Sequence, residues 1–409
     1  KKTLIAAAAL TAAAGAMADV SITGVFDTTL RMSEFDNGLG TATSSKKTTQ
    51  VGRDGSGTSG LYFSAKEDLG DGLVALGFME LDASPFEAAS TFNGGERYAG
   101  LQGSFGSIKI GSPNTPSLSV QSGLRGAMFG TKDGGRGTAG GATSAGNSSF
   151  IATSTLMGQS LTRFTGSIRY DTPTFSGFSV AVNYVPESDD GTFGSSNVTK
   201  ATDAGLTSAY AAGDAVPVQG AISDIGLFYK AGPINAGLAI YAEAEDQGTA
   251  PTATVGGTTA VPTVSYGSTG AATWALTSAK LAQTSFGLQF NAGFAIFGVG
   301  MNKTTWEGGI ASIDREATGT NVLATVPLSE ALSLGVNYQI ATVKDNAAVV
   351  AASSNKEIKY DQIAVGVNYN LSKLTSVYAR YVSASNDANN TAQKDASATT
   401  ALVGLMTKF

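Results

Sequence analysis

Four well-separated stretches of this chain alternate with a period of two. "FSVAVNY" sets Phe178, Val180, Val182 and Tyr184 against Ser179, Ala181 and Asn183. "SFGLQFN" sets Phe286, Leu288 and Phe290 against Ser285, Gly287, Gln289 and Asn291. "LSLGVNYQ" opposes Leu332, Leu334, Val336 and Tyr338 to Ser333, Gly335, Asn337 and Gln339, and "QIAVGVNYN" repeats the pattern from Gln362 to Asn370. Such alternation marks strands with one apolar face. A β-sandwich would bury the apolar rank and solvate a charged one. Here the second rank is Ser, Gly, Asn, Gln and Ala, which suits the wall of a water-filled lumen. The apolar rank often ends in Tyr or Phe, as the girdle of a membrane barrel does.

The connections are lopsided. Short ones lie at 68–73, 103–107, 171–177, 230–233, 291–293, 327–331 and 370–374. Long ones cover 33–58, 83–96, 112–161, 186–221, 244–281, 305–315, 344–356 and 383–399. Seven short turns alternating with eight long loops predict an all-β fold: a transmembrane antiparallel β-barrel of 16 strands with short periplasmic turns and long outer loops. Charged residues make up only 14% of the chain, against about 25% in soluble domains. "FAIFGVG" is apolar on both faces, and "ATWALTSAKL" reads as a possible outward extension of the tenth strand. The chain ends "ALVGLMTKF", an alternating strand that must close on "DVSITGVFDTTLR", because an open edge in lipid leaves backbone groups unpaired at several kcal/mol each. Phe409 then sits in the aromatic belt at the periplasmic rim and anchors assembly.

Residues 1–18 read as a signal peptide: Lys1 and Lys2, an apolar run from Leu4 to Ala14, and the small-x-small site Ala16-Met17-Ala18. The run is shorter than the roughly 20 residues of a transmembrane helix. Residues 19–409 are expected to form one barrel domain; export without a helical anchor leaves the periplasm, the medium or the outer membrane, and a transmembrane barrel is expected in the last. There is no Cys and no His, which removes thiolate metal sites, Cys nucleophiles and Ser-His-Asp chemistry. With 26 basic and 32 acidic residues, nucleic acid is not an expected partner. "GGRGTAGG" lacks the order of a phosphate loop. No enzyme activity, catalytic residue, cofactor or metal is expected.

The motifs resemble those of the general porins of Gram-negative bacteria, in their beta-proteobacterial form. The resemblance rests on "KEDLGDGL", "RYAGLQGSFGSIKIGSPNTP", "IRYDTPTFSGFSVAVNY", "YNLSKLTSVYARY" and "VGLMTKF", in that order along the chain. It implies a homotrimer that passes small hydrophilic solutes and inorganic ions by diffusion, with the third loop folded into each lumen. The wall near 83–96 is expected at the trimer interface. This chain has Gly60, Ser112 and Leu374 where relatives place Arg, so their constriction charges do not transfer.

A pore's chemistry is the charge at its narrowest point. Alternation turns Phe164, Ile168 and Tyr170 to lipid, so Arg163 and Arg169 face the lumen. By the same reading Lys109, Arg31 and Arg380 face in, and Lys66 and Arg97 join them. An Arg on the lipid face at the midplane costs about 2–4 kcal/mol; the alternative for each is a place at the rim among headgroups. The third loop adds Arg125, Lys132 and Arg136 against Asp133. This basic balance predicts weak anion selectivity. The acidic outer segments 186–191 and 242–246 serve either solubility or divalent-cation bridges to lipopolysaccharide. Two other readings remain: a substrate-specific channel of the same fold, which an aromatic slide or charge ladder would mark, and a secreted adhesin or barrel hydrolase.

Overall fold

The computed structural model of the chain describes residues 19–40, 45–82, 95–124, 162–186, 221–243, 280–307, 315–345, 357–387 and 394–409, with four two-residue strand pieces between 254 and 273. Sixteen antiparallel strands form one closed barrel. They are β1 (Asp19–Asp36), β2 in two pieces (Ser45–Arg53 and Gly60–Gly70), β3 (Leu73–Asp82), β4 (Arg97–Gly103), β5 (Gly106–Ser112), β6 (Ser167–Asp171), β7 (Phe178–Val185) and β8 (Ile222–Ala231). The second half comprises β9 (Ile234–Glu243), β10 (Lys280–Asn291), β11 (Ile296–Glu307), β12 (Arg315–Pro327), β13 (Leu332–Asp345), β14 (Glu357–Asn370), β15 (Thr375–Asn386) and β16 (Ser397–Lys408).

Each strand pairs with the next, and β16 returns to β1 in a register running from Val25 opposite Lys408 to Asp36 opposite Ser397. The last residue is part of this seam. Gly24 N–H donates to the Phe409 carbonyl at 2.9 Å, and Phe409 N–H donates to the Gly24 carbonyl at 3.1 Å. The Phe409 ring lies across Gly24, where any side chain would collide with it, and meets Phe26 at 5.4 Å between ring centres. Closure satisfies the edge that lipid would not.

The two faces differ as alternation requires. Leu30, Ile110, Ile225, Ile240, Met301, Tyr338, Ile363 and Val403 are exposed on the outer face. The inner face from β10 to β14 carries Gln283, Ser285, Asn302, Thr304, Asn321, Asn337, Gln339 and Gln362. Six of the seven short turns also expose an apolar side chain: Leu69, Phe105, Phe175, Phe294, Leu328 or Leu371. The apolar band therefore reaches down to the turns themselves.

Three local readings change. The stretch 33–58 is not one loop: β1 continues to Asp36, the chain reverses, and Ser45–Arg53 runs back along it. These outer strand ends are too polar to show a lipid-facing rank. Phe164 points inward, where it stacks on Tyr241 at 5.5 Å in a buried cluster with Val185, Ile222 and Leu281. Gly166, at φ 72°, kinks the chain between Phe164 and β6, so the alternation read across it slips. Similar buried clusters, Phe35 with Ala364 and Val382, and Ala317 with Val343 and Tyr360, line the outer ends of other strands. "FAIFGVG" resolves into Phe294 in a turn and Phe297 on the outer face of β11.

Candidate functional site

The third long loop leaves β5 toward the barrel axis. Thr115 caps a single helical turn, Pro116–Leu118, by accepting from Leu118 N–H at 3.1 Å, and a wider turn, Ser119–Leu124, follows. This root docks on the inner face of β8 to β10. Ser117 donates to the buried Asp224 carboxylate from both its backbone N–H and its hydroxyl, each at 2.9 Å. Gln289 Nε2 donates to the Leu124 carbonyl at 3.0 Å. Gly226 and Gly237 leave the space that Pro116, Val120 and Leu124 fill; a Cβ on either would crowd them.

Beside the root, on the inner wall of β3 to β6, lies a network of ion pairs. Asp171 accepts from Arg169 at 2.6 and 2.9 Å and from Lys109 at 3.1 Å. Arg169 reaches on to the Asn114 carbonyl. Arg163 donates to Asn114 Oδ1 at 2.8 Å and lies 3.6 Å from Glu80 Oε2. Glu96 accepts from the backbone N–H and the amide of Asn114, both at 2.9 Å, while its own N–H donates to Glu80 at 2.8 Å. Lys109 also sits 5.3 Å from the centre of the Tyr98 ring, which stacks on Phe78 at 5.6 Å. Three cations thus meet three carboxylates, Glu80, Glu96 and Asp171. Paired charges with shared hydrogen bonds present little net field. The wall predicted to be basic is balanced.

Arg31 and Arg380 lie elsewhere. Each pairs with Leu402 in register, from opposite sides, so both fall on one row across β1, β16 and β15. Arg380 donates to the Ser56 hydroxyl at 2.8 Å, and its guanidinium lies 5.1 Å from the Tyr378 ring centre. The acid of this region, Asp27, is fully buried. β1 and β16 stand eight strands from β8 and β9, on the far side of the barrel from the loop root.

Sequence and structure agree on an inward rank for Arg31, Lys109, Arg169 and Arg380; Arg163 reaches the same network. Lys66 shares the inner rank, opposite Leu76, but is exposed near the turn end of β2. Arg97 must be corrected. It lies opposite Met79 and Ser112 on the outer rank of Leu101 and Ile110, at the outer end of β4, while Glu96 and Tyr98 point inward. The first residue of a strand is where one-residue slips in alternation arise. Arg125, Lys132, Asp133 and Arg136 lie outside the described residues, as do residues 1–18, expected to be a leader, and residues 187–191 and 244–246 of the two acidic segments. What sequence reasoning missed is the acids. Asp171 is two residues beyond Arg169, and Asp224 alternates with Ile225 and Leu227, so both were open to the same facing argument.

A closed sixteen-strand wall, apolar outside and polar inside, with a loop rooted on its inner face, defines a membrane-spanning β-barrel channel. The chain belongs to the Gram-negative porins, a family of non-enzymatic channels of the outer membrane: the family model matches residues 6–389. It is 32% identical over 200 residues to the major outer membrane protein P.IB of Neisseria gonorrhoeae, covering 48% of this chain and 51% of that protein. A Neisseria lactamica protein of the same name is 29% identical over 199 residues, covering 48% and 53%. The chain thus spans about half the length of the curated relatives it matches. An anion-selective porin from Comamonas acidovorans superimposes with a TM-score of 0.65 at 21% identity, over 96% of this chain and all of that one. OmpT, an outer membrane protein of Vibrio cholerae, gives 0.58 at 15% identity, over 96% and 98%. At these identities the likeness is one of fold.

Proposed function

We propose that this chain is a general-diffusion porin that passes small hydrophilic solutes and inorganic ions, with a weak preference for anions. The observation that carries the reading is the set of uncharged, hydrogen-bonding side chains that Gln283, Asn302, Asn321, Asn337 and Gln362 place at the middle of the inner rank of β10 to β14. Such a wall tolerates many solutes and selects few. The anion preference rests on the partly exposed Arg31, since Arg380 and Asp27 are both covered and Lys109, Arg163 and Arg169 are compensated. Folded protein in planar bilayers should give steps that scale with KCl concentration and a reversal potential of anionic sign. Absent or saturating steps would overturn the reading. A substrate-specific channel has one feature in its favour, the Phe78–Tyr98 stack on the inner wall. Block of the current by added sugars would select it.

A homotrimer in the outer membrane, delivered by a cleaved leader over residues 1–18, completes the proposal. Support for a trimer comes from the outer face of β2 to β4. Ala65, Gly77 and Ala99 form one row of small side chains there, and Arg53 falls on the outer rank beside Val51. Arg53 is paired with Asp54 at 3.6 Å; an Arg facing hydrocarbon costs about 2–4 kcal/mol at the midplane, and a protein neighbour would lower what the pairing leaves of that cost. Native gels should show a heat-dissociable species near three monomer masses. Lipopolysaccharide is the proposed lipid neighbour at the outer rim. There Glu34–Lys47 at 3.1 Å, Lys303–Glu316 at 2.7 Å and Lys344–Glu357 at 3.9 Å form a charged belt above the apolar band.

A further inference from the structure

Strand β2 is broken where a barrel strand should be continuous. On β1, Thr28 pairs with Arg53 and Val25 pairs with Gly60, so two β1 residues, Phe26 and Asp27, face the six residues Asp54–Ser59. A β-bulge adds one residue and re-aims a strand. Four surplus residues make a loop. Folded outward, that loop would leave bare backbone in hydrocarbon. It folds inward, and its contacts show how far. Any side chain on Gly55 would collide with Thr29 and Tyr378, and a Cβ on Gly57 would come within 3.2 Å of Met406 Sδ. All three neighbours belong to the inner rank. The Ser56–Arg380 bond carries the segment across β1 and β16 to β15.

The segment is clamped at many points. Ser56 and Gly57 N–H groups donate to Asp27 Oδ2, both at 2.6 Å, and the Tyr378 hydroxyl donates to Oδ1. Asp27 N–H donates to Ser59 Oγ at 3.0 Å, Asp54 N–H donates to the Asp27 carbonyl at 3.2 Å, and Ser59 N–H donates to Asp54 Oδ1 at 2.6 Å. Asp27, sealed beneath the segment, no longer presents its charge to the lumen; Arg380, only 4% exposed, is covered with it, and the partly exposed Ser56 does the facing.

We propose that Asp54–Ser59 is a second constriction element, set across the barrel from the third-loop root, which narrows the lumen, covers Asp27 and Arg380, and turns Ser56 toward passing ions. This rests on the porin reading above. The chain has no cysteine, so Ser56→Cys supplies a single thiol. We would record folded channels in bilayers before and after modification with cationic and anionic methanethiosulfonates of matched size. Thr23→Cys, on the inner rank of β1 away from the segment, serves as the comparison. At Ser56 both reagents should lower conductance by roughly one third or more and shift the reversal potential in opposite directions, because a fixed charge acts most strongly where the pore is narrow. At Thr23 the changes should be several-fold smaller. An unreactive Ser56→Cys, or a modified one with unchanged current and reversal potential, would overturn the proposal. If Ser56→Cys gives no heat-modifiable barrel, Thr58→Cys takes its place under the same criteria. Failure of the unsubstituted protein to conduct would count against the porin reading instead.

Discussion

The balance of the ion network can be tipped by one charge in either direction. Among the network residues, Asp171→Asn leaves Lys109, Arg163 and Arg169 with Glu80 and Glu96 and raises the local charge by one; Arg169→Ser lowers it by one. An ion passing about 5 Å from one uncompensated charge in a water-like lumen feels ~0.8 kcal/mol. Salt with a Debye length of about 8 Å reduces this to ~0.45 kcal/mol. Anion and cation feel opposite signs, so the permeability ratio changes by ~0.9 kcal/mol, roughly four- to fivefold. Reversal potentials in a KCl gradient measure that ratio directly. Asp171→Asn should move it toward anions and Arg169→Ser toward cations. Both variants keep the strand ladder, so both should retain the heat-modifiable mobility of a folded barrel. If they shift the potential in the same direction, or neither shifts it measurably, the network does not face the permeation path and the electrostatic reasoning fails.

Three further outcomes follow from other contacts. Asp224→Ala removes an acceptor that holds Ser117 by two hydrogen bonds, each worth about 1.5–3 kcal/mol to a charged partner; open-channel noise should rise while heat-modifiability stays unchanged. Deleting Phe409 removes both backbone bonds to Gly24 and the ring packed on it, so the yield of assembled barrel should fall sharply, as read on unheated gels. Gly404→Val would drive the Tyr378 ring off its seat, with an overpacking cost of about 1–3 kcal/mol and a lower temperature of heat modification.

The architecture was legible because lipid imposes a rule on every crossing strand: apolar out, anything small or polar in. All seven short turns and most strand limits follow from that rule. It fails where the environment ceases to be lipid. At the outer ends of β1 and β2, Glu34, Lys47 and Thr49 meet water or headgroups, the outer rank loses its apolar signature, and a strand pair was read as a loop. Phe164 fails for a related reason: above the membrane an inward aromatic can be buried against Tyr241 as well as an outward one against lipid.

The site was less legible because facing and compensation are different questions. Alternation assigns a rank to one residue at a time, and on that basis Lys109, Arg163 and Arg169 summed to a basic wall. Their charge is cancelled by residues from other strands: Glu80 from β3, Glu96 from the chain entering β4, and Asp171 from the turn end of β6. Only closure of the sheet brings these together. The insertion in β2 was hidden more deeply. "DGSGTSG" has no apolar rank to read, and Gly and Ser at that density suit an outer loop equally well. What distinguishes it is Asp27, an acid in the middle of a crossing strand. A buried carboxylate there needs donors, and once β1 is placed in the wall, the N–H groups of Ser56 and Gly57 are the donors that its neighbour supplies. An acidic residue at the centre of one barrel strand, opposite a Gly/Ser-rich stretch too long for its register, is therefore a readable sign of an inward fold.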